Sequence, residues 1–262
     1  MTDILQKICD DKRALVERLK SEIPFTEMDR VAHKASPVRG FAAAIRQRKI
    51  ANDFAFITEI KKASPSAGIL RPEFSPTNLA IDYGMAGATC LSVLTDEPYF
   101  HGKNDDLMQA REACDLPILR KDFMLDIWQI VESRALGADC ILLIMAALDD
   151  PTAKALHNVA SDYGMDVLIE THNEQEMQRA LKLPSGIIGI NNRNLKNLEI
   201  DLATTEILRP MVPQDRLVIS ESGIRNADDI KRLRLVPVDG FLVGESLLKQ
   251  DNISKALNNL RS

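Results

Sequence analysis

Cysteine is scarce in this chain. Four are spread over 262 residues, at Cys9, Cys90, Cys114 and Cys140, and no two form a C-x-x-C pair. Such spacing gives no disulfide framework and fits a reducing cytoplasm. Cys90 and Cys140 lie inside apolar runs, where a reduced thiol behaves as a small core hydrophobe. Long apolar runs are missing too, so nothing reads as a membrane span of roughly 20 residues. The opening stretch, MTDILQKICDDKRALVERLK, interleaves charged with apolar residues and lacks the continuous apolar segment of a secretion signal. Positive charge is in deficit, with a formal net charge of -5. A mildly acidic chain has no overall field to draw in nucleic acid or anionic lipid, so local cations must meet any anionic substrate. Low-complexity segments are absent as well.

What is present is an alternation. Short β-branched or apolar runs recur at 54–60, 89–94, 117–121, 139–144, 166–170, 186–191, 217–221 and 240–243, with amphipathic stretches between them. Eight such units predict an α/β fold, a (β/α)8 TIM barrel of the usual roughly 250 residues, forming one domain over 1–262. Runs such as Cys140-Ile141-Leu142-Leu143-Ile144 are apolar throughout, as parallel strands covered on both faces should be. Asp150-Pro151 and Asn226-Ala227-Asp228-Asp229 are helix starts. Gly84, Gly137 and Gly164 stand where helix-ending glycines belong, and 252–260 reads as the last helix.

Residues 1–50 form an N-terminal helical extension. Ile4, Leu5, Ile8, Leu15 and Leu19 share one helical face, and Phe41, Ala44 and Ile45 predict a second short helix. The expected role is closing the barrel floor or side; a lid at the active site is the alternative.

Barrel enzymes carry their chemistry at the C-terminal strand ends. Here those ends are rich in charge: Glu59-Ile60-Lys61, Arg120-Lys121-Asp122-Phe123, Glu170-Thr171, Asn191-Asn192-Arg193, Glu221-Ser222-Gly223 and Val243-Gly244-Glu245-Ser246. Side chains alternate along a strand, so Glu59 and Lys61 share a face, as do Asn191 and Arg193. Glu59, Glu170 and Glu221 could neutralise Lys61, Lys121 and Arg193 as a purely structural network, but pairs kept for stability need not converge on one rim. Ser222-Gly223-Ile224 and Gly244-Glu245-Ser246 follow adjacent strands, where barrels commonly bind phosphate with glycine-rich backbone. Ser64-Pro65-Ser66-Ala67-Gly68 adds hydroxyls in a loop able to close over substrate.

Several of these stretches resemble the indole-3-glycerol-phosphate synthase family. The likeness runs through Glu59-Ile60-Lys61-Lys62-Ala63-Ser64-Pro65-Ser66, Leu94-Thr95-Asp96-Glu97-Pro98-Tyr99-Phe100, Pro117-Ile118-Leu119-Arg120-Lys121-Asp122-Phe123, Gly189-Ile190-Asn191-Asn192-Arg193-Asn194-Leu195 and Ser220-Glu221-Ser222-Gly223-Ile224. It covers nearly the whole chain. The resemblance implies ring closure of 1-(2-carboxyphenylamino)-1-deoxyribulose 5-phosphate to indole-3-glycerol phosphate, carbon dioxide and water. It implies no metal and no organic cofactor. By the same carry-over Lys121 protonates the developing alkoxide. Lys61 or Lys121 supplies the acid for dehydration, and Glu170 or Glu59 the base. A carboxylate rim keeps a lysine protonated, and burial is expected to pull its pKa down to a useful value.

Ser64, Pro65, Ser66, Asn191, Arg193, Glu221 and Ser222 are then expected at the substrate. Phe100, Phe123, Leu142, Leu195 and Leu242 would wall its ring. Lys61, Ser222, Gly223, Gly244 and Glu245 would hold the phosphate, Glu245 through its backbone N–H. The substrate adds about two phosphate charges and one carboxylate charge, so binding should weaken with salt. The expected partner is this small phosphorylated molecule alone, met by a monomer. Rival readings are a phosphoribosylanthranilate isomerase, which wants an early catalytic cysteine where Lys61 stands, and a ribulose-phosphate epimerase, which needs histidine metal ligands. His33, His101, His157 and His172 make no such pattern; His172 follows the fifth strand and reads as a loop residue. A non-catalytic scaffold barrel would have no call for both Lys121 and Glu170.

Overall fold

The computed structural model describes residues 4–65, 67–195 and 197–261, so the substrate contact expected of Ser66 lies outside the described residues. Eight parallel strands, β1 Ala55–Ile60, β2 Cys90–Leu94, β3 Ile118–Lys121, β4 Cys140–Ile144, β5 Asp166–Thr171, β6 Ile187–Asn191, β7 Val218–Glu221 and β8 Gly240–Val243, pair in chain order. β1 closes onto β8, giving a (β/α)8 barrel. Each strand ends within one residue of its position in the sequence pattern. The pattern has this accuracy because buried parallel strands are apolar on both faces and their flanks are not.

Three helices, α1 Ile4–Glu22, α2 Phe25–Ala32 and α3 Phe41–Ile50, precede the barrel. Around it run α4 Pro76–Met85, α5 Glu97–Phe100, α6 Asn104–Ala113, α7 Ile127–Ala135, α8 Asp150–Asp162, α9 Glu174–Ala180, α10 Ala203–Leu208, α11 Ala227–Leu233, α12 Glu245–Leu248 and α13 Ile253–Arg261. The cap of α8 is Asp149, which accepts from Thr152 N, and Pro151 sits in the first turn. Asn226 caps α11 in a reciprocal box with Asp229. Gly137 (φ +91) and Gly164 (φ +73) end their helices in the left-handed conformation. Gly84 does not; it lies inside α4, and the left-handed residue before β2 is Gly87, at φ +77. The helix runs one residue beyond Met85 to its cap at Ala86, which moves the turn three positions on from Gly84.

The period of two divides the core. Ala55 and Ile57 of β1 face the barrel interior with Cys90, Leu119, Cys140, Leu168 and Ile219. Phe56 and Ile60 face outward against the helices.

The extension serves both ends of the barrel. Phe41 and Ile45 of α3 are fully buried against the interior cluster, at the N-terminal side of the strands, and plug the floor. The amide of Ala42 donates to Asp166 Oδ2 at 2.8 Å and that of Arg39 to Asp139 Oδ1 at 2.8 Å, which fixes the plug to two strand starts. α1 goes to the opposite end: Ile4, Leu5 and Ile8 line the mouth. α1 therefore stands at the mouth, the end where the alternative put a lid, and α3 at the floor. The buried stripe of α1 is Leu5, Ile8, Cys9, Lys12 and Val16, while Leu15 and Leu19 are half-buried at its edge. Lys12 joins an apolar stripe because its ammonium reaches Asp96 Oδ1 at 2.8 Å and Asp122 Oδ1 at 2.7 Å. Asp122 also accepts from Thr95 Oγ1 at 2.7 Å. Further along, Val16 packs with Met28, Trp128 and Val131, so α1 spans from the mouth down the flank of the barrel. α2 has no counterpart in the sequence expectations.

Candidate active site

A cavity of about 620 Å³ opens at the C-terminal ends of the strands. Every described residue singled out from the sequence lines it, from Glu59, Lys61, Ser64 and Pro65 through Phe100, Lys121, Phe123, Leu142, Glu170, Asn191, Arg193 and Leu195 to Glu221, Ser222, Gly223, Leu242, Gly244 and Glu245. Strand register brings them to one rim. Glu170 lies level with Ile144, Asn191 with Glu221, and Glu221 with Leu242.

Lys121 is the centre of charge. Its Nζ lies 2.8 Å from Glu221 Oε2 and 3.2 Å from Glu170 Oε2. Lys61 Nζ lies 2.5 Å from Glu59 Oε1. Burial alone would pull the Lys121 ammonium down, but the charges of Glu221, Glu170 and Glu59 outweigh it and the net direction is up. This corrects the expected downward shift: three carboxylates around one cation exceed the cost of its desolvation. Burial likewise works against the carboxylates. At Glu170 it is overcome by Lys121 and His172, which hold the group well below the usual range. At Glu59 it is overcome by Lys61 and Lys121. At Glu221 burial wins, helped by the charge of Glu170, and the carboxyl is pushed up to about 7.

Arg193 pairs with Glu245 rather than with Glu59, Glu170 or Glu221. The Nη2–Oε2 distance is 3.7 Å, while Lys249 holds the other oxygen of Glu245 at 2.7 Å. Asn191 Oδ1 accepts from the Arg193 amide at 3.0 Å. Arg225 and Lys249 add further cations to this end of the cavity. Phe100 and Phe123 meet at a tilt with centroids 6.3 Å apart, and Phe123, Leu142, Leu195 and Leu242 continue into the barrel's inner core.

The turn after β7 places two successive residues in the left-handed region, Ser222 at φ +64 and Gly223 at φ +81. Backbone N–H groups of successive turn residues can form an anion-binding concavity. Each turn glycine also makes room for the protein. A Cβ on Gly223 would stand 2.6 Å from Ile200 Cγ2, and one on Gly244 would stand 2.5 Å from Glu59 Oε1. Glu245 and Ser246, which follow Gly244 and open α12, line the same cavity, and the first amides of a helix have no acceptor within it.

Besides Arg225 and Lys249, two residues escaped the sequence reading. Asn192 is 2% exposed and points away from the mouth. Its Nδ2 donates to Ser220 Oγ at 3.1 Å, Glu221 O at 3.0 Å and Ser222 O at 3.1 Å, and its Oδ1 accepts from Thr205 N at 3.1 Å and Thr205 Oγ1 at 2.8 Å. It ties down the carbonyls of the β7 turn. The signal was its place between two inward-facing residues, which puts it on the outer face, usually apolar. The second is His172. It is the loop residue expected after β5, but its ring is held: Nε2 lies 3.3 Å from Glu170 Oε1 and Nδ1 2.9 Å from Glu176 Oε2.

No helix among the described residues is long and apolar enough to cross a membrane. Among solved structures, a tryptophan synthase alpha chain from Legionella pneumophila subsp. pneumophila superposes with a TM-score of 0.61 at 15% identity, covering 86% of this chain and 97% of that one. Thiamine phosphate pyrophosphorylase from Pyrococcus furiosus gives 0.58 at 16%, covering 79% and 93%. At such identities the likeness is one of fold. Sequence comparison goes further. The family model for indole-3-glycerol phosphate synthase matches residues 5–260. The proteins of that name from Azospirillum brasilense and Rhodospirillum rubrum are 53% and 52% identical, with 98% and 99% of both chains covered respectively. With the match running from α1 to the last helix of the barrel, the chain belongs to the indole-3-glycerol phosphate synthase family.

Proposed function

We propose a division of labour at the rim for the reaction of this family, the closure of 1-(2-carboxyphenylamino)-1-deoxyribulose 5-phosphate to indole-3-glycerol phosphate with loss of carbon dioxide and water. The ring carbon that bears the carboxylate attacks the ketone carbon of the sugar chain, and the ketone oxygen becomes an alkoxide that takes a proton. Carbon dioxide leaves with its bonding pair restoring the aromatic ring. The new hydroxyl then takes a second proton and departs as water, and the adjacent methylene carbon gives one proton up. Each turnover thus takes two protons from acids and returns one to a base.

Lys121 protonates the alkoxide. A lysine held charged by its neighbours is a weak acid, but an alkoxide is a much stronger base than an amine, so the transfer runs downhill. Glu170 is the base. It is ionised in the free site and lies 3.2 Å from Lys121, so the proton it gains can return to the acid that lost one. The observation that carries this reading is that one buried ammonium is shared by two carboxylates whose pKa values are driven apart, the environment in which acid and base roles separate.

Lys61, paired with Glu59 beside Gly244, serves the phosphate end and the dehydration. The phosphate is taken by the Ser222–Gly223 turn and the amides after Gly244. Arg193 and Asn191 face the carboxylate and hydroxyls, and Ser64, Pro65, Phe100, Phe123, Leu142, Leu195 and Leu242 enclose the aromatic ring. Cations at both ends of the cavity make binding weaker in salt. All these groups come from one chain, which supports action as a monomer. Four free thiols, three of them buried, support a cytoplasmic setting.

The test mixes purified protein with the carboxyphenylamino sugar phosphate, without added metal, and follows indole fluorescence. Lys121→Ala should lose turnover by about 10²–10⁴-fold with a smaller change in KM. Near-normal turnover in Lys121→Ala together with abolition in Lys61→Ala would reverse the acids. No signal from folded wild-type protein would overturn the whole assignment.

A further inference from the structure

Glu170 has two cationic neighbours. Lys121 holds Oε2 at 3.2 Å, and His172 stands 3.3 Å from Oε1 through Nε2. The histidine contact has the distance of an ion pair rather than the alignment of a hydrogen bond, and the ring is anchored from behind. Its Nδ1 lies 2.9 Å from Glu176 Oε2, and the same oxygen accepts from the His172 amide at 2.9 Å. Glu176 sits in the first turn of α9, whose cap Asn173 it also accepts from, so the anchor is fixed to a helix start. The His172 side chain is only 8% exposed, wedged between two carboxylates.

The two neighbours differ in what the reaction does to them. Lys121 surrenders its proton to the alkoxide and is then neutral. Glu170 and Glu221, which share it, lose their common cation at that moment. Among the described residues Glu221 pairs with no second cation, and its Oε1 is buried without a hydrogen-bond partner. Glu170 has His172. A buried carboxylate without a cation takes up a proton rather than remain charged, and a protonated Glu170 could not later act as base.

We propose that His172 is a positioning residue for the reaction, a second cation that keeps Glu170 ionised and aimed while Lys121 is spent. This rests on Glu170 being the base. The imidazole is suited to the task across the neutral range: burial would lower its pKa, but its contacts with Glu170 and Glu176 raise it to about 9. The charged groups around the pair are Glu176 from α9, Lys121 from β3, Glu221 from β7 and Glu59 from β1. Of these, Lys121 alone is cationic, and it is the one consumed.

A plain structural role for His172, holding the β5–α9 turn, would alter stability or rate but not the ionisation of Glu170. The discriminating measurement is the pH dependence of kcat. At the stage when Lys121 is neutral, the imidazolium is the cation that depresses the Glu170 carboxyl, so removing it raises the pKa that kcat reports and moves the acid limb to higher pH. His172→Asn should move the limb up by about one unit, which is a tenfold loss at any pH below it, with KM within about twofold. His172→Lys, which restores a cation, should move it back. Glu176→Gln, which leaves Glu170 and His172 in place and weakens the anchor, should move it the same way by less, and it decides the matter should His172→Asn not fold. An acid limb unmoved in the folded variants overturns the proposal. Glu170→Gln is measured alongside. Wild-type turnover in it removes Glu170 as base and this proposal with it. Lost turnover in Glu170→Gln with an unmoved limb in His172→Asn overturns the role of His172 alone.

Discussion

Gly189 offers a test that reaches the site through a residue not itself expected at the substrate. It lies in β6, level with Glu170 of β5, and its missing side chain is the space into which Glu221 extends. An alanine Cβ at this position would stand 2.2 Å from Glu221 Oε1 and 3.3 Å from Leu168 Cδ1. Such contacts begin near 3.0 Å, so the first must open by about 0.8 Å. The β6 backbone is held on both sides by strand pairing and cannot give that much. The carboxylate must move instead, and turning Oε1 away swings Oε2 off Lys121, now 2.8 Å distant. Losing a hydrogen bond between charged groups costs roughly 1.5–3 kcal/mol. A displacement near 1 Å in a catalytic array costs on the order of 10² in rate. Gly189→Ala should therefore unfold in urea with about 2 kcal/mol less stability and turn over about a hundredfold more slowly, with KM little changed. Adding Glu221→Asp removes the clash by shortening the side chain. The double variant should recover neither stability nor turnover, because aspartate no longer reaches Lys121 and the charged hydrogen bond stays lost. Native turnover and stability in Gly189→Ala would refute the reasoning, since the space would then not be what seats Glu221.

Asn192→Ala should raise KM about tenfold while kcat changes little, because the β7 turn loses its clamp and a site element used equally in the ground and transition states is weakened. Inhibition by inorganic phosphate should weaken in parallel, which separates this effect from general loosening. Lys12→Met leaves Asp96 and Asp122 buried without their cation, so urea unfolding should show a loss of about 3–5 kcal/mol. The same variant should bind substrate less well, as Leu5 and Ile8 on α1 lose the anchor that holds them over the mouth.

The sequence by itself determined the barrel, its eight strands and the rim that carries the charge. The reason is local. An interior strand shows as an apolar run, and alternation along it assigns each following residue a side. Glu59, Lys121, Glu170, Asn191 and Glu221 could therefore be placed on one mouth before any contact was known. Tertiary structure decided what no local period encodes, namely which charge meets which. Lys121 could have taken any of three carboxylates, and the geometry gives it two, leaving Glu59 to Lys61 and sending Arg193 to Glu245. That sharing reversed the expected direction of the Lys121 shift, because a pKa depends on summed charge at short range rather than on burial alone. Asn192 was hidden for the same reason: its partners are Ser220 on β7 and Thr205 on α10. The partners of His172, Glu170 and Glu176, are near in sequence, but no period states which way a ring turns after the strand has ended. The extension could not be assigned to floor or lid from its periodicity, since an apolar stripe states that a face is buried and not against what. Only in the folded chain does α3 meet the strand starts while Lys12 of α1 meets Asp96 and Asp122 at the other end.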